Sequence, residues 1–329
     1  MRATVRVIRL ALATCIFLFT TALSASGQDA RLRVNTFPGP GNLALFVAQD
    51  KGLLAKRGLS VEISFTPNSQ AQRDGLVKEA FEIAQAGVDN AVALVEAAKQ
   101  DVVIVAGGSN GMNELIVRPQ IKSYDDIRGK TVVVDAPNTA YAFLLYKMLA
   151  LKGLTRQDYS VLPAGGSIQR LEAMRADNTR VAAMMNPPGN LIAAKEGYHS
   201  FGLATDVIGS YQADGIWVMR AWANGNSAVL TKYLEAIIEG YRWGSDPLNR
   251  AEVVAIVARR LRLDPELAEK TLAAAVGASG GLAKDARFDM EGFKTTLRLR
   301  AEMMGGDANP APEKYLDLSY YQRALSSLH

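Results

Sequence analysis

Apolar and polar residues alternate at the start of the mature chain and then change to a helical spacing. Leu32, Val34 and Thr36 alternate with polar residues, which is the two-residue period of a strand with one covered face. Over residues 43–54 the apolar positions recur every three and four residues, which predicts a helix with one buried stripe. The glycine-rich residues 37–42 therefore join a strand to a helix start.

The same alternation continues through the middle of the chain. Further segments with strand character lie at residues 59–65, 81–85, 102–105, 114–117, 131–135, 159–162 and 181–185. Most are separated by helical spacing, and such alternation is typical of a mostly parallel sheet covered on both faces. Because the alternation of strands and helices starts again after residue 112, we predict two α/β units.

An extended segment at residues 214–219 and a long helical tail complete the chain. From residue 227 the pattern is purely helical, and the Asp-Pro pairs at 246–247 and 264–265 mark helix starts. Helices without partner strands usually pack on an existing sheet, so we assign the tail to the first unit. The predicted organisation is a first lobe of residues 28–112 and 218–329 and a second lobe of residues 113–217. The chain is expected to cross between them near residues 111–118 and 213–219.

Residues 1–27 have the pattern of a secretory signal peptide. Arg2, Arg6 and Arg9 precede an apolar run over residues 10–23, and small residues follow it. The run is too short to span a bilayer stably, so we expect cleavage near residue 27 and export to the periplasm. Cys15 is the single cysteine and lies in this run, so the mature chain is expected to hold no disulfide and no thiol site.

Charge and histidine content argue against several classes of function. The formal net charge of +4 falls to +1 without residues 1–27, which hold three arginines and no acid. Nothing in this balance, and no basic run with interleaved aromatics, suggests nucleic acid. His199 and His329 lack partners at metal-ligand spacing, and a serine nucleophile would have no obvious base. We expect no cofactor, no metal, no catalytic residue and a monomeric state.

The junction at residues 37–42 has two chemical interpretations. Unpaired backbone N–H groups at a helix start attract carboxylate, sulfonate or phosphate, which favours a binding site for a small solute. Residues 39–44, GPGNLA, also fit the dinucleotide pattern G-x-G-x-x-A, with Glu62 as the acid about 20 residues on. That pattern suggests an exported dehydrogenase-like enzyme. Glu62 falls early in its predicted strand rather than at its end, and a dinucleotide would be scarce outside the cytosol, so this is the weaker interpretation.

Asparagines and aspartates recur where predicted strands meet helices. The asparagines are Asn42, Asn90, Asn138 and Asn186. Helix capping explains any one of them, whereas several converging on one cleft would favour ligand binding. Asp89 and Asp135 fall at the same kind of junction, where a carboxylate offsets the helix dipole or faces the cleft.

Three segments resemble a known family in their order and spacing. They are residues 42–53 (NLALFVAQDKGL), residues 123–134 (SYDDIRGKTVVV) and residues 149–154 (LALKGL). The chain resembles the solute-binding proteins of ABC importers, in the SsuA/THI5-like branch for nitrate, sulfonates, taurine and thiamine-pyrimidine precursors. The resemblance implies the type II periplasmic-binding-protein fold: two α/β lobes, a hinge of two crossover segments and a helical C-terminal tail. It also implies that the lobes close over a solute and deliver it to a membrane permease.

The resemblance places the family's ligand contacts by position. In this chain they fall on Pro38, Gly39, Gly41, Asn42, Asn68, Gln85, Gly87, Asp89, Asn90, Asn138, Thr139, Tyr141 and Asn186. From the residues themselves we add Asp135, as a junction carboxylate, and Trp217, as a candidate stacking ring whose alternative is a place in the core.

The chain departs from the family at the start of its long helix. Many relatives have a Gly-Ser-Thr type of turn there, which offers donors to an anion, whereas Pro137-Asn138-Thr139 stands in this sequence. The contact segments contain no lysine or arginine to offset Asp89 and Asp135. We therefore expect a neutral, zwitterionic or amine-bearing solute, with a heterocycle stacked on Tyr141, Phe37 or Trp217 as one form.

Overall fold

The structure is a computed structural model that describes residues 29–277, 281–307 and 310–328. The expected signal peptide with Cys15, and also His329, lie outside the described residues. The strands are β1 (Ala30–Thr36), β2 (Leu59–Phe65), β3 (Ile83–Gly87), β4 (Val102–Ser109), β5 (Glu114–Val117), β6 (Thr131–Val134), β7 (Ser160–Pro163), β8 (Arg180–Met185), β9 (His199–Leu203) and β10 (Asp214–Met219). The segment that forms β9 was not predicted as a strand.

Helices occupy most of the remaining chain. They are α1 (Leu43–Asp50), α2 (Ser69–Val77), α3 (Val88–Glu96), α4 (Ala140–Ala150), α5 (Ser167–Ala176), α6 (Gly189–Lys195), α7 (Ala204–Ile208), α8 (Arg220–Gly225), α9 (Ser227–Ser245), α10 (Arg250–Leu261), α11 (Pro265–Val276), α12 (Met290–Met304) and α13 (Ser319–Ser326). Asp246 and Asp264 cap helix starts as predicted, by accepting from the N–H groups of Leu248 and Leu267. Across the described residues, no helix is both long and apolar enough to cross a membrane.

The described strands form two five-stranded sheets, ordered β2-β1-β3-β10-β4 and β7-β6-β8-β5-β9. We call each sheet with its packed helices the first lobe and the second lobe. Each sheet is mostly parallel, as predicted, with one antiparallel strand: β10 in the first lobe and β5 in the second. Both are the first strands formed after the chain changes lobe. They do not follow a strand-helix-strand unit of their own sheet, so nothing imposes the parallel direction on them.

The two crossings lie earlier in the chain than the sequence suggested. The chain leaves the first lobe after Ser109 and enters the second at Glu114, and it returns from β9 to β10 by way of α7. Asp214 already pairs with β3 and β4 of the first sheet, so the return lies four residues before the expected boundary at 218. The periodicity of residues 214–219 showed a strand, but it could not show which sheet that strand joins.

The helical tail packs mainly on the first lobe, as its assignment required. Helix α9 lies against α1 so closely that a Cβ on Gly240 would be 2.3 Å from the Ala44 carbonyl oxygen. Helix α12 departs from the expectation, because it packs on both lobes. Leu297 joins the core beside α3, whereas Leu299 joins the core of the second lobe.

Candidate functional site

A cavity of about 350 Å³ lies between the lobes. Its lining comes mainly from the carboxyl ends of β1, β3 and β4, from the start of β10, and from the loops and helix starts after β6, β7 and β8. Ligands of open α/β sheets gather at strand ends of this kind, and the volume suits one small molecule. The two lobes therefore build one cavity together.

Most of the predicted contacts line this cavity. Those that do are Pro38, Gly39, Gly41, Asn42, Gln85, Gly87, Asp89, Asn90, Asp135, Thr139, Tyr141 and Asn186. Phe37, which was considered for stacking, lines it as well. That they contact a ligand stays a prediction.

Three predicted residues do not line the cavity. Trp217 is fully buried among the apolar side chains beneath the first sheet, because it faces the core from the middle of β10. Asn68 caps α2 by accepting from the Ala71 N–H at 2.9 Å, which is the capping role that asparagine commonly takes. Asn138 lies exposed in the loop before α4.

Asn42 holds the loop of residues 37–42 together instead of capping α1. Its Oδ1 accepts from Thr36 Oγ1 at 2.6 Å, and its Nδ2 donates to the carbonyls of Phe37 at 2.6 Å and Gly39 at 3.3 Å. The side chain makes no hydrogen bond to the helix start. The loop reaches across the cleft, since a Cβ on Gly39 would lie 3.8 Å from the Pro187 carbonyl oxygen.

Asp89 lies in the rear wall of the cavity with a cation from the helical tail. Arg300 of α12 donates from Nη1 to Asp89 Oδ1 at 2.8 Å, and both residues are buried. Arg73 of α2 donates to Asn90 Oδ1 at 2.7 Å beside them. Burial raises the pKa of Asp89, while Arg300 and Arg73 act in the opposite direction. The contact segments themselves hold no lysine or arginine, and the two arginines that act on Asp89 are remote from it in sequence, so only the fold brings them in.

Asp135 joins the two lobes directly. Its Oδ2 accepts from Ser69 Oγ of the first lobe at 3.1 Å, and its Oδ1 accepts from Thr139 Oγ1 at the start of α4. Ser69 in turn accepts from Asn90 Nδ2 at 3.2 Å. A chain of hydrogen bonds therefore runs across the cleft from α3 to α4.

Arg170 of α5 is a buried cation in the second-lobe wall that sequence reasoning missed. Its guanidinium lies over the Tyr141 ring, 4.8 Å from the centroid, and donates from Nη1 to the Gly165 carbonyl at 2.7 Å. Its Nε has no hydrogen-bond partner among the described residues. Burial lowers the pKa of Arg170, and burial raises the pKa of Tyr141. Helical spacing marks Arg170 only as a polar position on α5, so the sequence held no signal for it.

Asn186 is held by the start of α5 and by Tyr141. Ser167 Oγ donates to the Asn186 carbonyl and accepts from its N–H, both at 3.1 Å. The Asn186 side chain donates from Nδ2 to Tyr141 Oη at 3.2 Å. The wall of the second lobe is therefore positioned by hydrogen bonds within that lobe.

Asp214 at the start of β10 is a second residue that sequence reasoning missed. Its Oδ2 accepts from Ser109 Oγ at 2.5 Å, and burial raises the pKa of its carboxyl. Within residues 29–277, 281–307 and 310–328, no lysine or arginine forms an ion pair with it. The sequence pattern predicted a strand here, and Trp217 was the candidate ligand contact on it. The alternation of β10 instead sends Trp217 to the core and leaves Asp214 at the strand end beside the cavity.

The family described as NMT1/THI5 like matches residues 40–247, so this chain belongs to that family. No curated protein matches the chain. Several solved structures share its fold. The ligand-binding component of an ABC-type import system from Staphylococcus aureus, with zinc bound, is 12% identical, with a TM-score of 0.75, over 90% of this chain and 99% of that one. The periplasmic nitrate-binding protein NrtA from Synechocystis PCC 6803 is 14% identical, with a TM-score of 0.72, over 91% and 89%.

An enzyme has the same fold. The desulfurization enzyme DSZB is 13% identical, with a TM-score of 0.66, over 91% of this chain and 100% of that one. These likenesses confirm the periplasmic-binding-protein fold that the resemblance implied. The dinucleotide alternative is not favoured: Glu62 pairs in register with Arg33 in the middle of β2, is exposed and does not line the cavity.

Proposed function

We propose that this protein binds a small polar solute in the cavity between its lobes and delivers it to an ABC-type membrane permease. The observation that carries the proposal is the shared construction of the cavity, since each lobe supplies part of its lining, with polar side chains from both. A solute bound there contacts both lobes and favours the arrangement in which they are closed. Family membership and the import-system neighbour support the same conclusion.

The proposal extends to location, partners and chemistry. We place the protein in the periplasm as a monomer, with a permease as its protein partner and no role for nucleic acid. The neighbours include binding proteins and one enzyme, and we assign this chain to the binding proteins. The described residues contain no cluster of three or more histidine, cysteine, aspartate or glutamate side chains able to hold a metal ion.

A thermal-shift screen of the purified protein against a metabolite library tests the proposal. A ligand that binds only the folded state at 100 times its Kd adds about 2.7 kcal/mol of stability, so one solute class should raise the melting temperature clearly. The same protein should bind neither NAD nor NADP. If no metabolite raises the melting temperature, or if a dinucleotide does so with turnover of a substrate, the proposal fails.

A further inference from the structure

Three charged side chains that line the cavity form no ion pair with a described residue: Asp135, whose two oxygens accept from hydroxyl groups, Arg170 and Asp214. Arg170 belongs to the second lobe and Asp214 to the first, and no ion pair joins either one to a described residue. Arg170 is also the only cation among the described residues that line the cavity. A buried charge without a partner is costly, so a site that keeps two of opposite sign calls for a function of both.

The other carboxylates of the cavity are already engaged. Asp89 forms its ion pair with Arg300, and both oxygens of Asp135 accept hydrogen bonds from hydroxyl groups. Asp214 accepts only from Ser109, on Oδ2. Asp89 Oδ2 also has no hydrogen-bond partner among the described residues, but Arg300 already neutralises that carboxylate. Asp214 is therefore the described lining carboxylate that has neither a cation nor a second hydrogen-bond donor.

Arg170 and Asp214 both line the cavity, one from each lobe. Arg170 lies on the Tyr141 ring. The charges of Asp214, Arg170 and Asp135 all act on the Tyr141 hydroxyl, and the charge of Asp135 also acts on Arg170. On the first-lobe side, Gly41 lies beside Asp214, since a Cβ there would be 3.5 Å from Asp214 Oδ2. The absence of a side chain on Gly41 leaves room in front of the carboxylate.

We infer that the solute is a small zwitterion whose acidic group binds Arg170 and whose protonated amino group binds Asp214. This inference rests on the proposed function and adds the chemical class of the solute to it. An acid matches the guanidinium and an ammonium group matches the carboxylate, so both buried charges gain a partner at once. Because the two charges belong to opposite lobes, a zwitterion links the lobes, whereas a solute with only one charged group leaves the other charge unpaired.

Calorimetric titration of the purified protein with matched solutes tests this inference. The probes are the common amino acids, ω-amino acids and aminosulfonates, each with its deaminated acid and its amine without the acid. Phenylalanine, 3-phenylpropionate and 2-phenylethylamine form one such set. We expect one zwitterion to bind at least tenfold more tightly than either partner in its set, since each partner forfeits one charge-assisted hydrogen bond.

Two variants assign the ends of the zwitterion. Asp214→Asn should weaken binding of the zwitterion about 10- to 100-fold and remove its advantage over the deaminated acid. Arg170→Gln should remove the advantage of the zwitterion over the amine. If the glutamine variant folds poorly, Arg170→Lys takes its place and should keep part of that advantage, because lysine retains the positive charge. Asp206→Asn, on an exposed carboxylate of α7, is the matched control and should bind as the unchanged protein does.

The outcomes separate this inference from the proposed function. If another metabolite binds and none of the zwitterions does, or if Asp214→Asn leaves the affinity for the zwitterion unchanged, the inference is wrong and the solute receptor stands. If no solute of any class binds, the proposed function itself fails.

Discussion

Buried charges are paired at the rear wall of the cavity, around Asp89, and unpaired on the side walls, around Arg170 and Asp214. At the rear, Asp89 has Arg300 at 2.8 Å, and Arg73 is held by Asn90 close by. On the side walls, Arg170 and Asp214 have no ion-pair partner among the described residues. Both regions are buried and charged, so burial alone does not distinguish a structural charge from a functional one.

The difference lies in which groups are satisfied before a solute arrives. A carboxylate paired within the fold contributes to the packing of α12 against the lobes, and its loss leaves a buried cation uncompensated. An unpaired charge weakens the solute-free protein and is compensated only when a ligand binds. The two buried carboxylates Asp89 and Asp214 should therefore respond oppositely to the same substitution.

The largest expected effect is on Asp89. Asp89→Asn removes the charge that neutralises Arg300 at nearly constant volume, and breaking a buried ion pair from one side costs about 3–5 kcal/mol. The free energy of unfolding of the solute-free protein, from urea titration, should fall by that amount. Asp214→Asn is the matched control and should not destabilise the protein, because the carboxylate it removes has no cation. Equal losses of stability in the two variants would contradict the comparison.

A smaller effect is expected at the hydrogen bond between the lobes. Ser69→Ala removes the donor to Asp135 Oδ2 and should lower the free energy of unfolding by about 1 kcal/mol. It should also make the solute-free protein larger in small-angle scattering, because it weakens a contact across the cleft. The control is Ser64→Ala, whose hydroxyl bonds Asn35 at 3.0 Å within the first lobe and should not alter the size. An unchanged radius of gyration for Ser69→Ala would show that this bond does not hold the lobes.

The smallest expected effect is a dependence of stability on pH. Burial raises the pKa of the Asp214 carboxyl above its value in the unfolded chain, so the folded state binds this proton more tightly. The contribution of Asp214 to stability therefore increases as the pH falls through the folded pKa and is complete below the unfolded pKa. Compared with Asp214→Asn, the unchanged protein should gain stability on acidification toward pH 4 in urea titrations. A loss of stability over the same pH range would indicate that the Asp214 carboxylate has a cationic partner.

Local patterns along the chain were enough to predict most of the elements and the place of the site. Two-residue and helical periodicities depend on which positions face a core, so they revealed the strands, most helices and the two-unit plan. Strand ends followed by Gly, Asn or Asp marked the loops that line the cavity, and most residues named there do line it. Strand β9 and the packing of α12 on both lobes were not predicted, because neither follows from local spacing.

Which charged side chains come together depends on the folded arrangement of distant segments. Asp89 and Arg300 are 211 residues apart, and Arg170 and Asp214 lie in elements of different lobes, so no local pattern relates them. Whether Trp217 lies in the core or lines the cavity also depends on which face of β10 turns to the core. Periodicity reports whether a side chain is covered, whereas the identity of the group that covers it depends on long-range packing, and the electrostatics of the cavity follow from that identity.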